Sequence, residues 1–248
     1  MCDQHCPAEA ERPALPVSRR GLLVGGAALL SAGAALSACG AAEAKGKGPA
    51  ATAPVSPDEA LQRLMDGNAR YVANAPAQKD YSAGRAARVA AQYPFASILS
   101  CADSRVAPEL AFDQGPGDLF VVRVAGNFLN DDGLASLEYG ALVLNIPLIL
   151  VLGHSNCGAV DATIKVLKDG TKLPGHLPEL VNSIKPAVEA AKAKGGADLL
   201  ADATVENVRR NVQLLVTGDP VVSGLVKQGK VKVVGGVYDL ASGRVAAV

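Results

Sequence analysis

Apolar and polar positions follow two different periods along the chain. Four short apolar runs, rich in β-branched residues, have the length and composition of buried strands, at residues 95–100, 119–125, 146–152 and 231–237. Other segments repeat apolar residues at helical spacing, at residues 134–144, 157–168, 177–194 and 203–215. Strands that are apolar throughout and alternate with helices are typical of a parallel sheet covered on both faces. The pattern therefore predicts an α/β fold with a mostly parallel central sheet of about four strands, flanked by helices.

A helix start marks the beginning of the folded domain. Ser56 is a good N-cap, and Glu59 lies where its side chain completes a capping box with that serine. Apolar residues then recur at near-helical spacing as far as Asn74. Residues 39–55 are rich in Ala, Gly, Lys and Pro, which is the composition of a flexible tether. We therefore assign residues 56–248 to one folded domain that follows this tether.

Composition limits the class of function. The chain has 248 residues, of which 49% are apolar and 19% charged, as is typical of a globular protein. Lys plus Arg and Asp plus Glu number 24 each, so no net positive charge is available to neutralise nucleic-acid phosphates. Trp is absent and aromatic residues make up 4% of the chain, which argues against a base-stacking surface. We expect no nucleic-acid partner.

Residues 1–38 have the pattern of an export signal. Arg19 and Arg20 precede a stretch at 21–38 that is uncharged and rich in Gly, Ala and Leu. A positive segment followed by a modestly apolar one is typical of a secretory signal peptide. The arginine pair resembles a twin-arginine signal, which exports folded proteins. The alternative, a transmembrane helix, would have close to the minimum length and only weak hydrophobicity. We predict a signal peptide and export in a bacterium.

The end of this stretch resembles a bacterial lipobox. A Leu-Ser-Ala triplet precedes Cys39, and in such signals the cysteine is lipidated and becomes the first mature residue. We expect Cys39 to carry a lipid anchor, which would be the protein's membrane contact at the outer face of the membrane or in the periplasm. An ordinary cleavage site beside a bystander cysteine is the alternative. Cys2, His5 and Cys6 precede the arginine pair and would be removed by cleavage, so we assign them no function.

Two polar loops follow the ends of predicted strands. Cys101, Asp103 and Arg105 come directly after the first strand, and His154 and Cys157 follow the third. The carboxyl ends of parallel strands share one edge of the sheet, where ligands bind in such folds. Zinc prefers thiolate and imidazole donors, and its catalytic sites have three protein ligands and an open position. We therefore predict one zinc ion bound by Cys101, His154 and Cys157.

Two other interpretations of the cysteines are open. A buried cysteine is often only a small apolar side chain, and an exported protein can join Cys101 to Cys157 as a disulfide. Export after folding argues against the disulfide, because the metal is then bound in the reducing cytoplasm. His154 and Asp103 would also have no part in a simple disulfide.

Both loops resemble the motifs of one enzyme family. Cys-Ala-Asp-Ser-Arg at 101–105 and His-Ser-Asn-Cys-Gly at 154–158 are similar to the motifs of the β-class carbonic anhydrases. The similarity continues over nearly the whole predicted domain, in the segments at 67–71, 117–123, 125–127 and 235–240. Either loop motif alone is moderately specific, and the two in this order and at this spacing are highly specific.

The resemblance implies the reversible hydration of carbon dioxide to bicarbonate and a proton. It implies that Cys101, His154 and Cys157 bind one Zn²⁺ per chain, and that Asp103 and Arg105 form a catalytic pair. Asp103 would accept a hydrogen bond from zinc-bound hydroxide and orient it. Arg105 would clamp the Asp103 carboxylate away from the metal, and without that clamp Asp103 would become a further metal ligand.

Other functions fit the same ligand set. Relatives within the family act on carbonyl sulfide or carbon disulfide, and the ligands alone do not separate these substrates from carbon dioxide. A non-catalytic, zinc-stabilised binding module would need four protein ligands. Asp103 would be the fourth, and the presence of Arg105 argues against this. The resemblance also implies an even-numbered assembly, a homodimer or homotetramer.

Two further features of the family bear on regulation and proton transfer. Some members bind bicarbonate outside the catalytic site in a Trp-Arg-Tyr pocket. Arg123 and Tyr238 match two members of this pocket, but Ile98 stands in place of the Trp, so the pocket is incomplete. His176 has the residue type of a proton relay. We favour the alternative that it is a solvent-exposed loop histidine.

Overall fold

The computed structural model describes residues 55–218 and 220–248. The predicted signal peptide, Cys39 and residues 39–54 of the predicted tether lie outside these residues. Within the two described ranges, no helix combines the length and the apolar character needed to cross a bilayer.

The described residues fold around a five-stranded sheet. Its strands are β1 (Ala96–Ser100), β2 (Leu119–Arg123), β3 (Leu148–His154), β4 (Lys232–Tyr238) and β5 (Val245–Ala247). Their order across the sheet is β2-β1-β3-β4-β5. The first four strands are parallel to one another, and β5 pairs antiparallel with β4. The prediction of an α/β fold with a mostly parallel sheet is confirmed, with one short antiparallel strand added at its edge.

Helices flank this sheet. They are α1 (Pro57–Val72), α2 (Arg85–Ala90), α3 (Pro108–Ala111), α4 (Asp131–Leu142), α5 (Gly158–Asp169), α6 (Leu177–Lys194), α7 (Leu199–Gln213) and α8 (Pro220–Lys227), with a π-helical turn at Leu214–Gly218. The predicted helices are present, but α4 and α7 begin before the predicted starts at 134 and 203. The reason is capping: Asn130 and Asp198 accept hydrogen bonds from backbone N–H groups of the first turns.

The capping box predicted at the start of α1 is formed. The Glu59 N–H donates to the Ser56 hydroxyl oxygen at 3.2 Å, and the Ser56 N–H donates to the Glu59 carboxylate at 2.9 Å. Pro57 occupies the first turn, where its missing N–H costs nothing. The helix therefore begins where local sequence chemistry places it.

Alternate residues of the central strands contribute to two cores. Ile98 and Leu150 pack on one face of the sheet with α1 and α3, and Leu99 and Val151 pack on the other face with α4 and α7. Each fully buried side chain of this kind contributes about 1.5–3 kcal/mol. Burial on both faces explains why the strand segments are apolar throughout rather than alternating.

The third strand is longer than its apolar run indicates. Gly153 and His154 continue β3 by pairing with Val237 and Tyr238 of β4. A side chain at position 153 would not fit, because its Cβ would lie 2.7 Å from a methyl carbon of Val208 on α7. The glycine lets α7 lie close against the sheet, and the extended strand places His154 at the sheet's carboxyl edge.

Candidate metal centre

The three predicted ligands lie where two neighbouring parallel strands end. Cys101 directly follows β1, His154 is the last residue of β3, and Cys157 is the N-cap of α5. β1 and β3 are adjacent in the sheet, so the loops that follow them leave its same edge. The three ligand atoms all lie within 4.8 Å of one another. The predicted convergence of these side chains is confirmed.

The protonation of the histidine is fixed by its neighbours. Its Nδ1 lies 2.9 Å from the backbone oxygen of Ser155, and since a carbonyl can only accept, Nδ1 carries the proton. The Nε2 lone pair of His154 faces the two sulfurs. This atom is fully buried and has no hydrogen-bond partner, which costs about 1–3 kcal/mol. A soft divalent cation such as zinc would satisfy it, and two thiols plus an imidazole are a donor set that suits zinc.

The two cysteines are free and buried, so the alternative of a disulfide is wrong for this structure. A hydrogen bond from the Cys157 thiol holds the pKa of Cys101 well below its usual range, against the opposing effect of burial, and His154 and the Gly126 N–H contribute. The pKa of Cys157 is raised because its proton is shared with Cys101 and because it is buried. Both sulfurs must lose protons to bind a metal, so metal binding here weakens as pH falls.

The neighbouring Cys101 sulfur also changes the pKa of His154. Burial alone would lower the pKa of His154, but its interaction with the adjoining Cys101 sulfur outweighs that effect and raises the pKa. The sulfurs therefore favour positive charge at this point, which is the electrostatic preference of a cation site.

Asp103 and Arg105 form a two-pronged ion pair beside this centre. Arg105 donates from Nε to Oδ1 of Asp103 at 2.9 Å and from Nη2 to Oδ2 at 2.7 Å, and its backbone N–H donates to Oδ1 at 2.9 Å. This fork holds the pKa of Asp103 far below its usual range. Oδ2 of Asp103 lies 3.8 Å from Nε2 of His154. The carboxylate is therefore ionised and adjoins the converging ligand atoms.

Arg123, at the end of β2, braces the loop that carries these residues. Its Nε donates to the backbone oxygen of Cys101 at 3.0 Å, and its Nη2 donates to those of Asp103 and Val106 at 2.8 Å each. Sequence reasoning considered Arg123 only as part of a bicarbonate pocket. The one local signal for another role was an arginine inside the otherwise apolar run at 119–125.

The other members of that incomplete pocket are also engaged. The hydroxyl groups of Tyr238 and Tyr71 lie 3.1 Å apart in a hydrogen bond, and burial together with this bond raises the pKa of Tyr238 to about 12. Ile98 is fully buried in the core. The arginine, the tyrosine and the isoleucine are thus all committed to the fold.

His176 does not belong to the converging group. It lies immediately before α6, and its side chain is 96% exposed, with Glu179 as a neighbour at 3.9 Å. Its exposure agrees with the interpretation as a solvent-exposed loop residue.

Comparison with known proteins agrees with this site. The family model for carbonic anhydrase matches residues 96–245. Carbonic anhydrase 2 of Mycobacterium tuberculosis is 40% identical over 190 residues, which cover 76% of this chain and 91% of that protein. A carbonic anhydrase of Mycolicibacterium smegmatis is 40% identical over 192 residues, which cover 77% of this chain and 92% of that one.

Similar solved structures identify the class of carbonic anhydrase. The β-carbonic anhydrase CcaA is 28% identical, with a TM-score of 0.58 over 75% of this chain and 94% of that one. The Coccomyxa β-carbonic anhydrase, solved with acetazolamide, is also 28% identical, with a TM-score of 0.60 over 76% of this chain and 86% of that one. Sequence motifs, a Cys-His-Cys centre at a parallel sheet edge and these relatives lead to one conclusion: the chain belongs to the β-carbonic anhydrase family, whose members are enzymes.

Proposed function

We propose that the chain binds one zinc ion through Cys101, His154 and Cys157 and catalyses the reversible hydration of carbon dioxide to bicarbonate and a proton. The observation that carries this proposal is the buried, unpartnered Nε2 of His154 facing two free sulfurs. Zinc, when bound there, supplies a Lewis acid that makes a coordinated water a nucleophile near neutral pH.

The two thiolates neutralise the charge of the cation, which lets the centre exist in a buried position. They also weaken its pull on water, so the protein must assist the nucleophile. Asp103 is suited to this task, because its carboxylate is ionised and adjoins His154. It accepts a hydrogen bond from the attacking water and directs the water's lone pair towards the carbon of the substrate.

Arg105 sets the role of that carboxylate. Its guanidinium binds both oxygens of Asp103 and also donates to the backbone oxygen of Asn156 at 3.3 Å. The fork thus links the loop after β1 to the loop after β3. It holds Asp103 in reach of the reacting water and competes with the metal for the carboxylate. With the carboxylate held in this way, a zinc ion bound by Cys101, His154 and Cys157 would keep a position for solvent, as catalytic zinc sites require.

Stopped-flow measurement of carbon dioxide hydration across pH, on purified and zinc-loaded protein, tests the proposal. We expect Asp103→Ala to keep its zinc and to lose about 10²–10⁴-fold in turnover, the usual contribution of a positioned proton acceptor. Full turnover by Asp103→Ala would refute the role of the carboxylate. Parallel assays with carbonyl sulfide and carbon disulfide decide the substrate, and elemental analysis showing no zinc in the wild-type protein would refute the proposal as a whole.

We further propose that the protein is exported and lipidated at Cys39. The support is the twin-arginine-like pair, the uncharged stretch at 21–38 and the Leu-Ser-Ala triplet before the cysteine. Labelling of growing cells with radioactive palmitate should mark the wild-type chain and not Cys39→Ala. Equal absence of label from both chains would end the lipidation proposal.

A homodimer or homotetramer is our proposal for the assembly. The described chain leaves α2 without a single buried residue, and six residues are too few to keep a helix formed in water alone. Val89 on that helix is 85% exposed, and Tyr93 just after it is 58% exposed. A second copy packed on this segment would cover them. Sedimentation velocity of the protein from Ser56 onwards should show an even-numbered species, and a monomer at micromolar concentration would contradict this.

A further inference from the structure

A tight turn follows β2 and reaches the metal centre. The Asn127 N–H donates to the Val124 oxygen at 2.9 Å, and Gly126 has a φ of +85°, which is the third position of a type II turn. A side chain at 126 is disfavoured, because its φ is strained for an L residue and its Cβ would lie 2.5 Å from the terminal methyl of Ile184 and 3.1 Å from the Ala159 Cβ. The Gly126 N–H donates to the Cys101 sulfur at 3.2 Å.

The other side of the same glycine is held by α7. The side-chain amide of Asn207 donates to the Gly126 oxygen at 2.7 Å, in a bond between residues 81 positions apart. The side-chain amide of Asn211, one helical turn later, donates to the backbone oxygen of Asn207 at 2.7 Å, and its side-chain oxygen accepts from the Leu129 N–H at 2.8 Å. Both asparagines are at least 98% buried, and buried amides are costly unless they are paired. Here Asn207 donates to the segment that follows β2, and Asn211 accepts from it.

We propose that Asn207 is a positioning residue for the metal centre: it fixes the Gly126 carbonyl and so keeps the Gly126 N–H directed at the Cys101 sulfur. An N–H bond to a thiolate withdraws electron density from the sulfur and limits its donation to the metal. In a centre with two thiolates, this preserves the Lewis acidity that one thiolate would otherwise cancel. The inference rests on the proposed binding of a thiolate-preferring metal at this site.

A purely structural role for Asn207 makes a different prediction. If the amide only anchors α7 to the turn, its loss lowers stability and leaves the electronic character of the bound metal unchanged. If it positions the N–H group, its loss changes the metal–sulfur bond itself. Measurements on the metal therefore separate the two roles.

The first test uses the wild-type protein loaded with ¹¹³Cd and labelled with ¹⁵N-glycine. We expect scalar coupling between the metal and the amide proton of Gly126, transmitted through the hydrogen bond to the Cys101 sulfur. Bound cadmium without this coupling would overturn the inference and leave the proposed function intact. Failure to bind cadmium or zinc would instead refute the proposed metal centre, and this inference with it.

The second test compares variants in the cobalt-substituted protein. Asn207→Ala removes the donor, and Asn207→Leu removes it without leaving room for a water. Both should shift the thiolate-to-cobalt charge-transfer bands to lower energy, because a sulfur without the N–H bond donates more strongly to the metal.

Thr204→Val is the matched control for these variants. Thr204 is buried on the same helix, and its hydroxyl donates only to the Leu200 oxygen within α7, at 2.8 Å. Its substitution should leave the cobalt bands unchanged. Wild-type bands in folded Asn207→Ala and Asn207→Leu, or an equal shift in Thr204→Val, would overturn the inference. If neither Asn207 variant folds, absence of the cadmium coupling in the wild-type protein still overturns the inference.

Discussion

Asp113 and Asp103 each form an ion pair with an arginine, but their surroundings differ. Asp113 binds the Arg70 Nε at 2.6 Å, the Lys79 ammonium group and the Ala77 N–H at 3.0 Å, and its side chain is 3% exposed. These contacts tie the chain after α1 to the segment that follows α3. Asp113 borders a charged cavity of about 410 Å³.

Asp103 has fewer partners and a more exposed position, with 17% of its side chain accessible. Its neighbour on the inner side is a buried nitrogen of His154 that no protein atom satisfies. Around Asp113 the buried groups are paired with one another, so that cluster is complete as it stands. The comparison shows that a buried, unpaired imidazole nitrogen beside two free sulfurs distinguishes the candidate metal centre, whereas cavity size and the number of ion pairs do not.

The largest effect is expected at the candidate metal centre of Cys101, His154 and Cys157. Cys157→Ser replaces a sulfur ligand by a weakly coordinating hydroxyl, so the protein should lose zinc and about 10³-fold or more of its carbon dioxide hydration. Elemental analysis and stopped-flow assays measure the two losses, and circular dichroism checks the fold. A Cys157→Ser protein with full zinc and wild-type turnover would contradict the assignment of the ligands.

Substitution in the ion-pair cluster of Asp113, Arg70 and Lys79 should instead lower the stability of the fold. Asp113→Asn keeps the shape of the side chain and tolerates the backbone φ of +48° at this position. It leaves Lys79 and Arg70 without their counter-charge. Because both cations remain partly in water, we expect a loss of about 2 kcal/mol in the free energy of unfolding. Urea titration measures this loss, and turnover of the folded variant should stay close to wild type.

The difference in unfolding free energy between the wild type and Asp113→Asn should depend on pH, and the pKa of Asp113 gives the sign. Lys79 and Arg70 lower the pKa of Asp113 to about 2 from an ordinary value of 3.8, against the opposing effect of burial. Its contribution is therefore fully present above about pH 4 and is lost as the pH falls from there through about 2. The stability difference between wild type and Asp113→Asn should shrink over that range. A difference that grows on acidification would contradict this account.

A smaller effect is expected at Arg123, which holds the loop from Cys101 to Val106. Arg123→Met removes three hydrogen bonds to the loop from Cys101 to Val106, and a loosened loop misplaces Asp103. We expect about a tenfold loss of turnover with zinc retained, because misplacement of a reacting group by a fraction of an ångström is costly. Arg63→Met is the matched control, since Arg63 covers the ring of Phe95 away from this loop. Equal losses in both variants would show that the effect is not specific to the loop.

The smallest effect is expected at His176. Its side chain is almost wholly in solvent and outside the converging ligand group, so His176→Ala should leave turnover and its dependence on buffer concentration unchanged. A loss of turnover that imidazole buffer restores would instead assign it the proton relay.

The sequence by itself determined the central strands, the three converging residues of the candidate metal centre, and the family. Strands buried on both faces must be apolar throughout, and residues at the carboxyl end of such a strand lie at the sheet edge, which is how Cys101 and His154 could be located. The capping pair Ser56 and Glu59 is equally local. These features depend on short-range periodicity and on the fixed geometry of parallel strands.

Only the tertiary structure decided how the centre is supported. The bonds from Arg123 to the ligand loop and from Asn207 to Gly126 join residues that are distant along the chain, and no local pattern indicates which buried side chain meets which carbonyl. The sequence did not predict β5, α2, α3 or α8; β5 and α3 have only three and four residues, and α2 buries none. Local pattern specifies elements because their hydrogen bonds close within a few residues, whereas partner choice across the fold depends on how the completed elements pack.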